Sequence, residues 1–352
     1  MEQPFFEESL IQWYRENKRD LPWRETTDPY KIWLSEVMLQ QTRVKQGLPY
    51  YLRFVEHYPT VNDMAKAEEQ EILRLWQGLG YYSRARNMHQ TAKLVTNAMQ
   101  GVFPKNYKDL LKLKGVGKYT AAAIASFAYN EPVAVVDGNV YRVLARILGI
   151  DSDIASTEGQ KIFAQEAAKL VSEKNAGEYN QAIMEFGATQ CTPQKPNCMF
   201  CPFAGLCVAN QTGAQATLPV KLKKVKVRDR FFHYLVLEHE GEFILKERKE
   251  KGIWQGLYDF INIENERKLT EEELLEKVSE FLAFSQITLK EVSEEYKHVL
   301  THQRLFVRFY HIILQKKNNR IGETAAQFFT TSQVERLPKP TLIQKYLEKK
   351  FN

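Results

Sequence analysis

From its start to about residue 210 the chain repeats apolar side chains every three or four positions, the spacing of helices with one buried face. The pattern is strongest over residues 29–47, 70–79, 85–99, 119–129, 138–148 and 157–171. Gly, Pro and Asp punctuate the joins, and no alternating run reaches strand length. Residues 211–219 then read as a linker and lead into a basic stretch of Lys221, Lys223, Lys224, Lys226, Arg228 and Arg230. Such a stretch is either a solvated connector or a contact to a polyanion's backbone. Beyond it the apolar period drops to two. Residues 231–238 and 242–247 predict a hairpin turning at Glu240-Gly241, and residues 305–314 a further strand. Residues 270–284 and 340–350 predict helices, Pro340 suiting a first helical turn. The expectation is a multi-domain chain: an all-α domain over residues 1–210, a basic interdomain linker over 211–230, and an α+β domain over 231–352.

Composition fits that division. The 352 residues are long enough for two domains, with 44% hydrophobic and 26% charged residues, the balance of a globular protein. No apolar run approaches the roughly 18–20 residues needed to cross a bilayer. Residues 1–8 have neither a basic n-region nor a long apolar stretch, so the expected location is the cytoplasm, in association with the nucleoid. A net charge of +6 adds a modest indication of a polyanionic partner.

The cysteines narrow the reading more. All four lie between Cys191 and Cys207, in the spacing Cys191-x6-Cys198-x2-Cys201-x5-Cys207. That excludes scattered structural disulfides and points to one local centre. Zinc sites use two close pairs, and only Cys198 and Cys201 form one; a cubane cluster, a zinc ion and unligated thiols are the three readings. Lys195 in the same loop is available to a phosphate.

Two further features carry chemistry. In Leu113-Lys114-Gly115-Val116-Gly117-Lys118-Tyr119-Thr120 a Gly-x-Gly turn joins two helices. Gly115 and Gly117 let the backbone turn tightly and bring amide N–H groups to a helix N-terminus, a natural phosphate site. In Val133-Ala134-Val135-Val136-Asp137-Gly138-Asn139, Asp137 stands at the entrance of the next helix, where a lone aspartate is ordinarily a cap. Upstream, Glu36 has Ile32, Trp33, Leu39 and Gln40 as its helical neighbours. Three of these are apolar, so its carboxyl is expected to be half-desolvated and suited to acid work rather than an ordinary surface glutamate.

The hairpin, the aspartate and the cysteine loop, in that order, resemble the signature of the helix–hairpin–helix, iron–sulfur DNA glycosylases related to endonuclease III. The segments Leu21-Pro22-Trp23-Arg24, Ser35-Glu36-Val37-Met38-Leu39-Gln40-Gln41-Thr42-Arg43-Val44 and Gly78-Leu79-Gly80-Tyr81-Tyr82-Ser83-Arg84 resemble, more narrowly, the MutY family of adenine DNA glycosylases. That resemblance implies one [4Fe–4S] cluster per chain on Cys191, Cys198, Cys201 and Cys207. It also implies a monomeric enzyme acting on double-stranded DNA with an 8-oxoguanine:adenine or guanine:adenine mispair. Glu36 would protonate the flipped adenine at N7, and Asp137, oriented by Asn139, would stabilise the oxocarbenium-like sugar. Arg24, Gln41, Thr42, Leu79, Tyr81, Gly115, Gly117 and Lys118 would contact DNA, with Gln41, Thr42, Leu79 and Tyr81 probing the base pair. Relatives that also cleave the strand carry a nucleophilic lysine where this chain has Tyr119. Lys118 is one residue and about 100° away on a helix, so a monofunctional enzyme is expected.

The resemblance extends to a Nudix-like C-terminal domain that reads the opposing base. The pyrophosphatase box is absent from residues 252–278, so no metal-dependent hydrolysis is expected there. Leu300-Thr301-His302 stands where the family has Phe-Ser-His, making Thr301 and His302 the candidate readers. The competing readings are a bifunctional pyrimidine-lesion glycosylase/lyase, a non-catalytic iron–sulfur DNA-binding protein, and a Nudix hydrolase with an accessory DNA module.

Overall fold

A computed structural model describes residues 3–222, 226–281, 287–316 and 326–351. The chain divides into two compact units: Met1–Lys66 with Asn87–Lys223, and Ala67–Arg86 with Lys224–Asn352. Among the described residues no helix is long and apolar enough to cross a membrane.

The first unit is built from helices α1 (Gln3–Asn17), α2 (Pro29–Leu39), α3 (Val44–His57) and α4 (Val61–Lys66). Helix α5 (Glu69–Trp76) lies in the second unit, and α6 (Ser83–Met99) leads from it back into the first. Helices α7 (Tyr107–Leu110), α8 (Lys118–Tyr129), α9 (Gly138–Leu148), α10 (Thr157–Leu170), α11 (Ala176–Thr189) and α12 (Val208–Thr212) complete the first unit. One of its cores gathers Phe6, Leu10, Val143, Leu144, Phe163, Ile183, Phe186 and Phe203 from α1, α9, α10, α11 and the cysteine loop. The close approach of α11 to α9 depends on Gly187. A Cβ there would lie 2.7 Å from the Asn139 Cβ and 2.9 Å from its carbonyl oxygen, so no side chain fits without moving the start of α9.

The helix expected over residues 29–47 is two helices. Gln41 adopts φ +57, Thr42 N–H donates to the Leu39 carbonyl, and the chain reverses before α3. The apolar period runs through the break because both helices bury their faces, which is why the pattern alone joins them. Residues 211–222 are not free of the helices. Arg146 Nε donates to the Leu218 carbonyl, Ile154 N–H to Val220, and Leu218 is buried. Of the basic stretch, Lys223 and Lys224 lie outside the described residues, as does Phe284 of the helix expected over 270–284.

In the second unit, eight strands among the described residues form one sheet: β1 (Arg228–His239), β2 (Glu242–Glu247), β3 (Tyr258–Asp259), β4 (Ile261–Asn265), β5 (Ile287–Val292), β6 (Tyr296–Val299), β7 (Gln303–Leu314) and β8 (Ala326–Thr330). The expected hairpin is present, with Glu238 opposite Phe243 and His239 opposite Glu242; Glu240 and Gly241, both at positive φ, make its turn. The sheet order is β3-β2-β1-β7-β5, with β1 and β7 parallel and Tyr234 beside Phe309. Strand β1 is buried without interruption from Phe232 to Leu237, because helices cover both faces. Leu274 and Val278 of α13 (Glu271–Phe281) pack with Leu235, Leu237 and Ile312. On the other face Tyr346 of α15 (Thr341–Phe351) stacks on Phe309 at 3.9 Å. The short α14 (Thr331–Arg336) links the last strand to α15.

Candidate active site

The sequence of α2 makes it a buried rod. Asp28 caps it by accepting the Tyr30 N–H, Pro29 starts it, and every side chain from Ile32 to Met38 is buried. Glu36 lies in that run and is 5% exposed. The Tyr119 phenol donates a hydrogen bond to its Oε2 at 2.5 Å. Burial pushes the Glu36 carboxyl up to about 7, against the Tyr119 hydrogen bond, with the charge of Asp137 adding to the rise and Arg24 opposing it. Tyr119 itself, in the same dry surroundings, is held well above the usual phenol range and stays a donor.

Asp137 is in a different setting. It caps α9, with Oδ1 accepting from the Asn139 and Val140 amides at 2.8 Å and Oδ2 from Asn139 Nδ2 at 2.8 Å. Burial raises its carboxyl above the ordinary range, and those three donors pull it back. The approach to it is fixed by Asn180, whose side chain accepts from the Val135 N–H and donates to the Val133 carbonyl. Asp137 is thus the cap of α9, and its charge adds to the rise of the Glu36 carboxyl. Asn139 orients it as expected. Arg142 then continues the chain of contacts, donating to Asn139 Oδ1 at 2.8 Å, to the Gly187 carbonyl at 2.6 Å and to the Cys191 carbonyl at 2.7 Å.

The hairpin corrects one detail. Gly115 is left-handed (φ +75) and faces the Asn87 side chain, whereas Gly117 is extended, exposed and has open space where a Cβ would go. Only the first glycine makes the turn; the second leaves the N-terminus of α8 open to an approaching backbone or phosphate. Lys118 is exposed there, and Tyr119 points inward to Glu36.

Arg24 is committed to an ion pair. Its Nη2 donates to Glu185 Oε2 at 2.6 Å, as does Arg19 Nη2. Burial would raise Glu185, but the two guanidinium groups bring it down to about 2. Sequence reasoning missed Glu185, Arg19 and Arg142. For Glu185 a signal existed: a carboxyl set in the apolar run Ile183-Met184-Glu185-Phe186, the same mark that singled out Glu36.

The side chains of Cys191, Cys198, Cys201 and Cys207 line one cavity with Arg146, Phe186 and Gln190. Burial pushes the Cys201 thiol up to about 11, and the other three cysteines add to the rise. Arg146 donates to Cys191 Sγ at 3.4 Å and to the Thr192 carbonyl at 2.7 Å. Among the described residues no group of three or more His, Cys, Asp or Glu side chains is spaced for a single metal ion.

The remaining sequence candidates fall in both units. In the first, Gln41 is exposed and Thr42 half-buried. In the second, Leu79 is buried, Tyr81 is 46% exposed at φ +48, and its hydroxyl meets the Thr301 hydroxyl. Thr301 and His302 are exposed at the tip of the β6–β7 hairpin, which is closed by the Leu300 N–H donating to the Gln303 carbonyl at 2.8 Å.

Residues 34–172 match the family described as HhH-GPD superfamily base excision DNA repair protein, and residues 233–349 match the NUDIX domain. The chain is 30% identical to the adenine DNA glycosylase of Buchnera aphidicola subsp. Baizongia pistaciae, over 99% of this chain and 97% of that protein. It is 33% identical to the Homo sapiens adenine DNA glycosylase, over 88% of this chain and 67% of that one. The match to the Arabidopsis thaliana adenine DNA glycosylase reaches 40% identity over 72% of this chain but spans only 46% of that protein. Among solved structures, a thermostable thymine-DNA glycosylase aligns with TM-score 0.56 and 32% identity, over 60% of this chain and 97% of that one. A non-covalent endonuclease III–DNA complex aligns with TM-score 0.52 and 21% identity, over 61% of this chain and 99% of that one, a likeness of fold alone.

The buried acid has a cost that can be measured. The folded state holds the Glu36 proton up to about pH 7, whereas the unfolded chain releases it near 4.5. Stability therefore falls as pH rises between those values, by about 3 kcal/mol at most. Glu36→Gln lacks that slope, so its advantage over the parent should be larger at pH 8 than at pH 5. Urea-unfolding midpoints at the two pH values check it; equal differences at both would mean that Glu36 titrates normally.

Proposed function

This chain belongs to the adenine DNA glycosylase family, and we propose that it removes adenine mispaired with 8-oxoguanine or guanine, using Glu36 as the general acid and Asp137 as the electrostatic partner of the sugar cation. The observation that carries the reading is the unequal setting of the two carboxyls. Glu36 is dry, has one donor and keeps its proton to about pH 7; Asp137 has three donors serving its ionised form. A purine leaves faster once N7 is protonated, and the positive charge then developing on the sugar needs an anion. The adenine must be out of the stack for either group to reach it. Tyr119 donates to Glu36 and holds it in place, and with no amine at that position water is the final nucleophile: it bonds to C1′ of the sugar as the adenine leaves from it.

The four cysteines hold one [4Fe–4S] cluster. What supports this is the cavity that the four half-buried cysteines share, in which burial disfavours a bare Cys201 thiolate and a cationic centre would stabilise it. With all four ligands cysteine, the cluster supplies a rigid cross-link and no coordination position for substrate. The purified protein should contain about four iron atoms per chain and absorb broadly near 400 nm; stoichiometric zinc without iron would overturn the assignment.

Excision should follow the protonated fraction of Glu36. Single-turnover rates on an 8-oxoguanine:adenine duplex, read by alkaline strand cleavage, should fall about tenfold per pH unit above about pH 7. Asp137→Asn keeps the cap but loses the anion, and should cut at least a hundredfold more slowly. Near-native excision by that variant would leave Asp137 as a helix cap only.

Thr301 and His302 read the opposing base. 8-Oxoguanine carries an N–H at N7 where guanine has a lone pair, so an acceptor hydroxyl or imidazole gains a bond with the lesion and meets a lone pair otherwise. That difference is worth on the order of 1–3 kcal/mol. The double variant Thr301→Ala, His302→Ala should lower the ratio of excision rates on 8-oxoguanine:adenine over guanine:adenine by about 5- to 150-fold at fixed salt. An unchanged ratio would assign the reading to another loop.

A further inference from the structure

Residues 67–86, which comprise α5, the loop 77–82 and the start of α6, lie early in the chain, yet they form one compact unit with residues 224–352. The attachment is specific. At one end of the loop 77–82, Gln77 Oε1 accepts the Lys339 N–H at 3.0 Å, and Gln77 Nε2 donates to Gln344 Oε1. At the other end Arg86 donates Nη1 to the Gln255 carbonyl at 2.5 Å and Nη2 to its side-chain oxygen at 3.3 Å. Beneath it, Gly256 (φ +83) comes so near α5 that a Cβ would lie 2.9 Å from Leu73 Cδ1.

The loop between these anchors has little freedom of its own. Gly78, Gly80 and Tyr81 are left-handed, and the Gly80 carbonyl accepts from Trp76 Nε1 at 3.0 Å and from Arg84 Nη2 at 3.2 Å. A tyrosine at positive φ costs of order 1 kcal/mol and persists only where its surroundings impose it. With its shape fixed internally and its ends fixed to the β-sheet unit, the loop shares one concavity of about 510 Å³ with the lesion-facing hairpin, lined by Leu79, Tyr81, Trp254, Leu300 and Thr301.

We propose that Gln77 and Arg86 are positioning residues through which the C-terminal unit sets the loop that probes the base pair, so that reading the opposing base and opening the pair are one movement of one body. The proposal rests on the reading of Tyr81 as a probe and Thr301 as a reader given above. A lesion held by Thr301 then presents Tyr81 to the stack without a separate search, whereas a loop with a loosened anchor must find that position on its own.

The test uses the full chain and duplexes carrying 2-aminopurine in place of the mispaired adenine, opposite 8-oxoguanine or guanine. Emission at saturating protein reads unstacking of the base, and single-turnover excision of adenine in matched duplexes reads the ratio between the two opposing bases. The variant Gln77→Ala, Arg86→Ala should lose on the order of tenfold in that ratio, together with the extra emission opposite 8-oxoguanine. Arg86→Lys, which retains a donor for the Gln255 carbonyl, should recover most of both relative to Arg86→Ala. Adding Thr301→Ala to the anchor variant should cost little more, because the lesion contact acts through the loop. Losses that multiply independently, or an anchor variant with an intact ratio while Tyr81→Ala and Thr301→Ala each lower it, would overturn the proposal. If Tyr81→Ala and Thr301→Ala themselves leave the ratio intact, the reading beneath it has failed, and the proposal with it.

Discussion

Much of the first unit is arranged around one electrostatic constraint: two buried carboxyl groups, Glu36 and Asp137, feel each other's charge and have unequal means of carrying it. Water would level them. The fold separates them by giving Glu36 an apolar rod and a single phenol, and Asp137 a helix N-terminus with three N–H donors. The supporting parts serve that separation. Asn180 fixes the strand-like approach to Asp137, Gly187 lets α11 reach the start of α9, and Arg142 ties Asn139 to the backbone of the cysteine loop. The cysteine cavity is therefore mechanically upstream of the aspartate, through a guanidinium whose donors are spent on carbonyls and one amide oxygen.

The parts of this site that a sequence displays are those whose cause is local. Asp137 precedes Gly138-Asn139 at a helix start, and capping is a matter of three residues. Glu36 betrays its dryness through its own helical neighbours. What stays hidden depends on residues far away. The Arg19–Glu185–Arg24 ion pair joins positions more than 160 apart, and the neighbours of Arg24 give no sign of its partner. The break at Gln41 is hidden for another reason: burial on both sides keeps the apolar rhythm unbroken across a reversal of the chain. The two hairpin glycines look equivalent in the sequence and are not, because only Gly115 takes the left-handed conformation.

The β unit shows the same boundary. Its hairpin at Glu240-Gly241 is legible because turn chemistry is local. The parallel pairing of β1 with β7 and the two covering helices are long-range, and they turn β1 into a continuous apolar run where a half-exposed strand would alternate. The grouping of residues 67–86 with this unit leaves no trace in the pattern at all, since α5 has the same amphipathic spacing as the helices around it.

That grouping bears on the order in which the molecule is made. Gln77 finds its partner Gln344 across 267 residues, and Gln70 finds Glu247 across 177. A ribosome delivers the loop long before the surface that holds it, and contacts of such sequence separation are the slowest to close. The nascent chain thus passes through a stage in which the two carboxyls can already be assembled while the segment carrying Tyr81 is still unmoored. Any chain that stops short, by nonsense codon or proteolysis, is frozen at that stage: both carboxyls in place, without the contacts that hold residues 77–86.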